Sequence, residues 1–215
     1  MRNVFIPLFL LVATAVGSAS SQGQAPTTAV VRSVTVNSVR RIAVRADSRL
    51  WLEGSSNVRD WTCKATAMDA TIDIDHRPSG ESRELPPVRG VLVTVPVRML
   101  KCGDRHMEAH MYTALKAPEK SSSGAIVAKL DGLPMTDGIA RTLEVTGTLM
   151  IAGVERPVRI TVLGDKLPDG TLRARGTLPI LMTDFGIKPP RPWGGILKTA
   201  NKVLIQFEIF VDPLT

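Results

Sequence analysis

The run LEVTGTLMIAGVERPVRITV, residues 143–162, decides the fold class because apolar and polar residues alternate along both of its halves. An alternation with a period of two is typical of a strand that buries only one face. Gly153 stands between the halves, in a turn that we place at Ala152 to Pro157. The run therefore predicts an antiparallel hairpin. Its inward face is expected to carry Leu143, Val145, Gly147 and Leu149, and then Val158, Ile160 and Val162.

The same alternation recurs on both sides of this hairpin. It is clear at residues 68–74, 91–97, 126–130, 172–178 and 203–211. Turns rich in glycine and proline, such as Pro168 to Gly170, separate these segments. Many short alternating strands indicate an all-β barrel or sandwich. We favour an antiparallel barrel of about eight strands, because such a sheet needs closure to hide its edges.

One segment departs from the period of two. Between Leu100 and Ala117, Met107, Met111 and Leu115 recur every four residues, which is the spacing of a helix face. Asp104 is placed to cap the N-terminus of a helix, and a proline follows the run. The spacing predicts one α-helix that packs on the barrel.

The N-terminus predicts export. Arg2 precedes an apolar run at residues 4–16, followed by small residues, which is the pattern of a secretory signal peptide. We expect a signal peptide at residues 1–19, with cleavage as late as Ala25, a linker or extra edge strand at 26–40, and the barrel domain at 41–215. No later stretch approaches the roughly 20 apolar residues of a transmembrane helix. The expected location is periplasmic or secreted.

Cysteine content and charge narrow the classes of partner. The chain has two cysteines, Cys63 and Cys102, which an oxidising compartment would join in one disulfide, the alternative being two buried thiols. Lys and Arg outnumber Asp and Glu by 27 to 20, but the basic residues form no dense block. Export removes nucleic acid as a partner. The basic residues are then solvated outer faces of strands, or they attract anionic lipid or a phosphate-bearing ligand.

Several motifs together resemble the YceI-like family of exported lipid-binding proteins. The hairpin carries the pattern T-G-x-L-x-x-x-G-V-x-x-P-V from Thr146 to Val158, and MTDFGI precedes the last strand. The opening SRLWLEGSS and the helix RHMEAHMYTALKA are also similar, so the resemblance spans roughly Asp47 to Asp212. Asn201 departs from it, since many relatives have an acidic residue there. The resemblance implies a lipocalin-like barrel that holds a polyisoprenoid chain.

Alternation then selects the residues expected to face the lumen. Small residues among them leave room for a slender chain, and Met107 and Met111 either form an adaptable lid or are ordinary core. Lys188, Arg191 and Trp193 either meet a polar head group at the mouth or form an exposed turn. The predicted lipid-binding residues are Ala70, Ile72, Val93, Val95, Met107, Met111, Ala128, Val145, Gly147, Ala174, Gly176, Phe185 and Phe207.

The sequence offers little for catalysis. His106 and His110 share a helix face with Glu108 between them, but the order H-x-E-x-H is not the H-E-x-x-H of zinc proteases, and no third ligand is evident. No G-x-S-x-G elbow accompanies the histidines. We therefore expect no catalytic residues, no metal and no cofactor apart from a bound polyisoprenoid lipid.

Three functions remain open. The first is an exported binding protein for a long apolar lipid of polyisoprenoid or quinone type. The second is a filled barrel that acts as a structural or stress-response interaction module without a ligand. The third is a metal-dependent hydrolase that uses the helix histidines.

Overall fold

One antiparallel sheet curls around an apolar core in this computed structural model, which describes residues 39–75, 88–117, 124–133, 141–191 and 193–213. The predicted signal peptide and most of residues 26–40 lie outside the described residues. The strands are β1 (Val39–Ala43), β2 (Arg49–Ser56), β3 (Asp60–Ala65), β4 (Asp69–Asp75), β5 (Val88–Pro96), β6 (Leu100–Lys101), β7 (Ala125–Leu133), β8 (Arg141–Ile151), β9 (Val154–Lys166), β10 (Leu172–Leu181) and β11 (Thr199–Val211).

The sheet contains eleven strands, in the order β1-β4-β5-β7-β8-β9-β10-β11-β2-β3-β6, which is more than the expected count of about eight. The excess arises where long strands bend and their ladder is interrupted. Lys64 of β3 pairs with Lys101 of β6, the Thr66 amide donates to the Met99 carbonyl, and Asp69 of β4 then pairs with Thr94 of β5. Strands β3 and β4 are thus successive parts of one arm of a long hairpin, and β5 and β6 are successive parts of the other arm.

The curled sheet returns on itself through β2. This strand pairs with β11 on one side and with β3 on the other, and the hairpin just described continues from β3 to β5 and β7. Strand β1 pairs with β4, and the Val44 amide that follows it donates to the Ala70 carbonyl, so β1 and β2 are also pieces of one bent path. The antiparallel, lipocalin-like architecture predicted from the sequence is confirmed.

The central hairpin is confirmed, with a tighter turn than expected. Strand β8 ends at Ile151 and β9 begins at Val154, so only Ala152 and Gly153 form the turn, both with positive φ (53° and 82°). Two-residue hairpin turns favour such backbone angles, because they match the twist of the strands. Pro157 therefore lies in β9, opposite Thr148, and not in the turn.

A proline is tolerated at this point of β9 for a reason that the pairing shows. The ladder between β9 and β10 begins only at Thr161, so none of the described strands pairs with the other edge of β9 around Pro157. A proline lacks an N–H group and is accommodated on such an edge.

The helix α1 (Arg105–Ala114) packs across one end of the curled sheet. It is shorter than the predicted run because Leu100 and Lys101 pair with β3 as strand β6. The Asp104 carboxylate caps it as expected, accepting from the Met107 amide at 2.9 Å. No helix among the described residues is long and apolar enough to cross a membrane.

The disulfide between Cys63 and Cys102 is confirmed, with sulfurs 1.98 Å apart. It joins β3 to the residue after β6, directly before α1. Glu108 strengthens the same attachment, because its carboxylate accepts from the Cys102 amide at 3.0 Å and lies 3.5 Å from the Lys101 ammonium group. The Tyr112 hydroxyl donates to the Leu100 carbonyl at 2.9 Å. The helix is therefore anchored covalently and by polar contacts.

Candidate functional site

Two apolar cavities lie along the inside of the curled sheet. The first, of about 210 Å³, is enclosed by the inward residues of the strands at the end away from α1. The second, of about 270 Å³, lies beneath α1. Leu52, Ile126 and Ile205 line both cavities, so these three side chains form a waist between the two spaces. The arrangement is two neighbouring apolar cavities with a shared wall.

The walls of the first cavity come from alternate residues of the strands, as a pleated sheet requires. Leu50, Leu143 and Val162 are examples that alternation places inward and that the set of predicted lumen residues omitted. Val88 also lines this cavity, although it is out of phase with Val91 and Val93, because the register of β4 and β5 shifts between Asp73 and Ile74. The predicted residues that line this cavity are Ile72, Val93, Val95, Ala128, Val145, Ala174 and Phe207.

Met107 and Met111 line the second cavity, from the face of α1 that turns toward the sheet. Both are half-buried against the core cluster, and Met111 Sδ lies 3.9 Å from Cys102 Sγ. The sequence left lid and core open as alternatives. The structure combines them, since these side chains pack on the core and also form part of the cavity wall.

Gly147 and Gly176 were predicted to face the lumen, but they line neither cavity. A Cβ on Gly147 would collide with the carbonyl oxygen of Lys129 in β7. A Cβ on Gly176 would stand 2.7 Å from Cζ of the Phe207 ring and 2.8 Å from the Thr161 carbonyl. Each glycine allows close packing of a neighbouring group, so neither adds room to the lumen.

Ala70 and Phe185 are also off the cavity walls, although both are buried, with exposed fractions of 4 % and 2 %. Ala70 has only a methyl group and lies where the sheet bends, with its carbonyl bonded to the Val44 amide. Phe185 belongs to the 3-10 turn Met182–Phe185, where strand alternation does not apply, and its ring fills the core.

Ion pairs lie at the cavity end away from α1. Asp165 and Arg173, at the rim of the first cavity, form an ion pair at 2.5 Å, and Glu208 lies 3.7 Å from the same guanidinium. The hydrogen bond from Arg173 lowers the pKa of Asp165. Arg45 lies between Asp47 and Asp212 in a similar way, at 3.1 and 3.4 Å. Paired charges thus surround this mouth.

The α1 end differs in composition. Pro190, Leu197 and Thr199 line the second cavity, and the neighbouring Lys188 and Arg191 are exposed. This exposed position beside the lining residue Pro190 fits both alternatives that the sequence left open, a cavity mouth and an exposed turn. The backbone of Trp193 belongs to a short 3-10 turn, Trp193–Gly195, while its side chain lies outside the described part of the chain.

Asn201 has a structural role at the same end. Its amide oxygen accepts from the Thr183 amide at 3.1 Å, and its amide nitrogen donates to the Thr183 hydroxyl at 2.9 Å. These bonds fasten the turn that carries Phe185 to the start of β11. The resemblance had marked Asn201 only as a departure from related sequences.

The helix histidines lie at the rim of the second cavity, but Glu108 does not join them. His106 and His110 line that cavity, whereas the Glu108 carboxylate is bonded to the Cys102 amide on another side of α1. That bond lowers the pKa of Glu108. Within the described residues, no group of three His, Cys, Asp or Glu side chains is placed to hold a metal ion.

Comparison with known proteins agrees with this architecture. The family model of the YceI-like domain matches residues 26–211, starting earlier than the resemblance noted above. BcnA from Burkholderia cenocepacia has a similar structure, with a TM-score of 0.57 and 17% identity over 78% of this chain and 99% of BcnA. A polyisoprenoid binding domain from Saccharophagus degradans, implicated in plant cell wall breakdown, is also similar. Its TM-score is 0.59, with 12% identity over 82% of this chain and 100% of that domain. No curated protein matches the chain in sequence.

Proposed function

The chain belongs to the YceI-like domain family, and on that premise we propose that it is an exported binding protein without catalytic activity. Its ligand is one long apolar lipid of polyisoprenoid or quinone type, held in the lumen of the barrel. The observation that carries the proposal is the pair of apolar cavities inside the sheet, which share Leu52, Ile126 and Ile205 as lining residues.

The physical driving force is the removal of hydrocarbon from water. Apolar surface that enters such a lumen contributes about 25 cal/mol per Å². The walls of the first cavity are mostly aliphatic, so they select by shape and offer few polar groups for recognition. A slender chain suits the three-residue waist better than a bulky ring system. The polyisoprenoid binding reported in the name of the Saccharophagus relative is consistent with this choice.

The polar groups near the cavities support a binding role over catalysis. The carboxylate of Glu108 anchors α1, and the Asp165 carboxylate is paired with Arg173. Each carboxylate is therefore held in a structural contact. In the proposed function, His106 and His110 are rim residues that contact solvent or the polar end of a ligand.

Organic extraction of the purified protein followed by mass spectrometry tests the proposal. We expect a stoichiometric long-chain lipid from the wild-type protein. Replacing Ile126 with Trp fills the waist and should remove most of that lipid, whereas Leu92→Trp, on the exposed face of the neighbouring strand, should retain it. Repeated absence of lipid from the wild-type protein would overturn the proposal in favour of a filled barrel acting as an interaction module.

Export is part of the proposal, and the disulfide supports it, because such bonds persist in oxidising compartments. The intact mass of protein recovered from cells decides this point. Loss of residues 1–19, or of residues up to 25, is the expected result. A full-length mass would contradict export through a cleaved signal peptide.

A further inference from the structure

Three chain segments form a common surface at the α1 end of the barrel: residues 57–59, 188–191 and 196–198, which we call the helix-end rim. The Asn57 amide donates to the Lys198 carbonyl at 3.1 Å, and the Asn57 side chain bonds the Ile196 carbonyl at 3.0 Å and the Lys198 amide at 2.8 Å. The Thr199 amide donates to the Pro190 carbonyl at 3.2 Å. These bonds hold the three segments side by side.

The helix-end rim carries apolar side chains that are largely exposed in the described part of the chain. Ile196 and Val58 are exposed to 74% and 67%, the highest values among the large hydrophobic residues described. Scattered exposed hydrophobic residues are common. These two, however, lie on segments that Asn57 holds together, and Leu197 beside Ile196 lines the second cavity. The rim thus presents apolar tips at a cavity mouth.

The helix-end rim is also basic. Its three segments contain Arg59, Lys188, Arg191 and Lys198 and no acidic residue. All four are exposed, and within the described structure only Arg59 has a carboxylate within 4 Å, that of Asp104 at 3.9 Å. At the other end of the barrel, arginines such as Arg45 and Arg173 are paired with acids. The rim therefore carries three cations, Lys188, Arg191 and Lys198, that have no carboxylate within 4 Å among the described residues.

We propose that the helix-end rim docks on the surface of an anionic phospholipid bilayer, with Val58 and Ile196 entering the interface and the basic residues meeting the lipid phosphates. Exposed apolar tips flanked by cations are suited to such an interface, where burial of apolar groups and attraction to anionic lipid add together. The second cavity then faces the bilayer. This gives an apolar ligand a route between membrane and lumen, a consequence that rests on the proposed function.

Co-sedimentation with vesicles tests the docking. The mature wild-type protein is expected to bind vesicles of phosphatidylglycerol and phosphatidylcholine at low salt and to release them as salt rises, because the attraction is screened. Vesicles of phosphatidylcholine alone should bind at least tenfold more weakly. Equal binding to both vesicles, or binding to neither, would overturn the inference; an acidic protein partner would give the second result.

Paired variants locate the surface. Each basic residue near an anionic bilayer strengthens binding about fivefold, so Lys188→Glu with Lys198→Glu should weaken it by at least about 25-fold. The matched control, Lys129→Glu with Arg175→Glu, makes the same charge change at exposed positions outside the rim and should weaken binding far less. An equal loss in both pairs would mean that total charge governs binding, and would overturn the proposed surface.

A second comparison of variants tests how much Val58 and Ile196 contribute to vesicle binding. Val58→Ser with Ile196→Ser should weaken vesicle binding several-fold, while Val39→Ser with Leu92→Ser, which alters exposed apolar residues elsewhere, should not. Measuring extracted lipid from the same proteins separates the two hypotheses. Retained lipid with no vesicle binding would defeat only the docking, and vesicle binding without extractable lipid would defeat only the proposed ligand.

Discussion

The ring of Phe207 in β11 covers Gly176, its cross-strand partner in β10, so closely that a Cβ on the glycine would stand 2.7 Å from the ring carbon Cζ. An aromatic ring lying over a cross-strand glycine replaces the side chain that the glycine lacks. Trp61 covers Gly54 in the same way between β3 and β2. Glycine therefore serves the packing of the barrel wall at these positions.

Replacing Gly176 with Ala should destabilise the protein. The added methyl group must displace Phe207 or the Thr161 carbonyl, and overpacking of this kind costs about 1 to 3 kcal/mol. Gly164→Ala is the matched control, because nothing lies within 4 Å of its Cβ position. Denaturant unfolding of both variants measures the difference. Similar free energies of unfolding would show that the ring moves aside freely.

Gly147→Leu should impair folding itself. Alternation places Gly147 on the lumen face, where a larger side chain would fill the cavity, but the Cβ would strike the Lys129 carbonyl and approach the Leu130 backbone at 2.8 Å. Backbone atoms of a paired strand move less readily than a side chain. We expect the free energy of unfolding to fall by about 3 kcal/mol or more, which thermal unfolding measures. A variant with wild-type stability and reduced lipid content would show that position 147 faces the lumen, as alternation predicts.

Removing the disulfide should lower stability without changing the architecture. The double substitution Cys63→Ala and Cys102→Ala opens a loop between residues 39 apart in sequence. It should lower the free energy of unfolding by about 2 to 4 kcal/mol. Denaturant unfolding of the variant and the wild type gives the value. Thiol titration of the denatured, unreduced wild type should find no free thiol, and two free thiols would contradict the bridge.

Glu108 should make the stability of the helix anchor depend on pH. Its pKa is lowered chiefly by the hydrogen bond from the Cys102 amide, so its stabilising contribution is present above the pKa of the unfolded chain, about 4.3. The contribution is lost as pH falls through the lower pKa of the folded state. Glu108→Gln should thus reduce the melting temperature at pH 7 and reduce it much less in acid. Glu155→Gln, on the exposed start of β9, is the control; an equal pH profile in both variants would contradict the role.

The sequence by itself determined the periodic features of this protein. A period of two depends only on the pleat of the strand, so it identified most of the strands, although not β3 or β6, and many inward residues, including Val93, Val145 and Ala174. Spacing by four residues identified α1, and Asp104 marked its start. The count of two cysteines allowed a single intramolecular pairing, Cys63 with Cys102.

Only the tertiary structure decided what the inward residues contact. Alternation assigns a face but not a distance. It could not show that neighbouring groups occupy the space beside Gly147 and Gly176, or that Ile126 forms part of the waist. Bends in the ladder, which raised the strand count, depend on curvature that arises when the sheet closes. The helix-end rim joins Asn57 to Ile196 across 139 residues of sequence, a contact that long-range strand pairing creates and that local patterns do not encode.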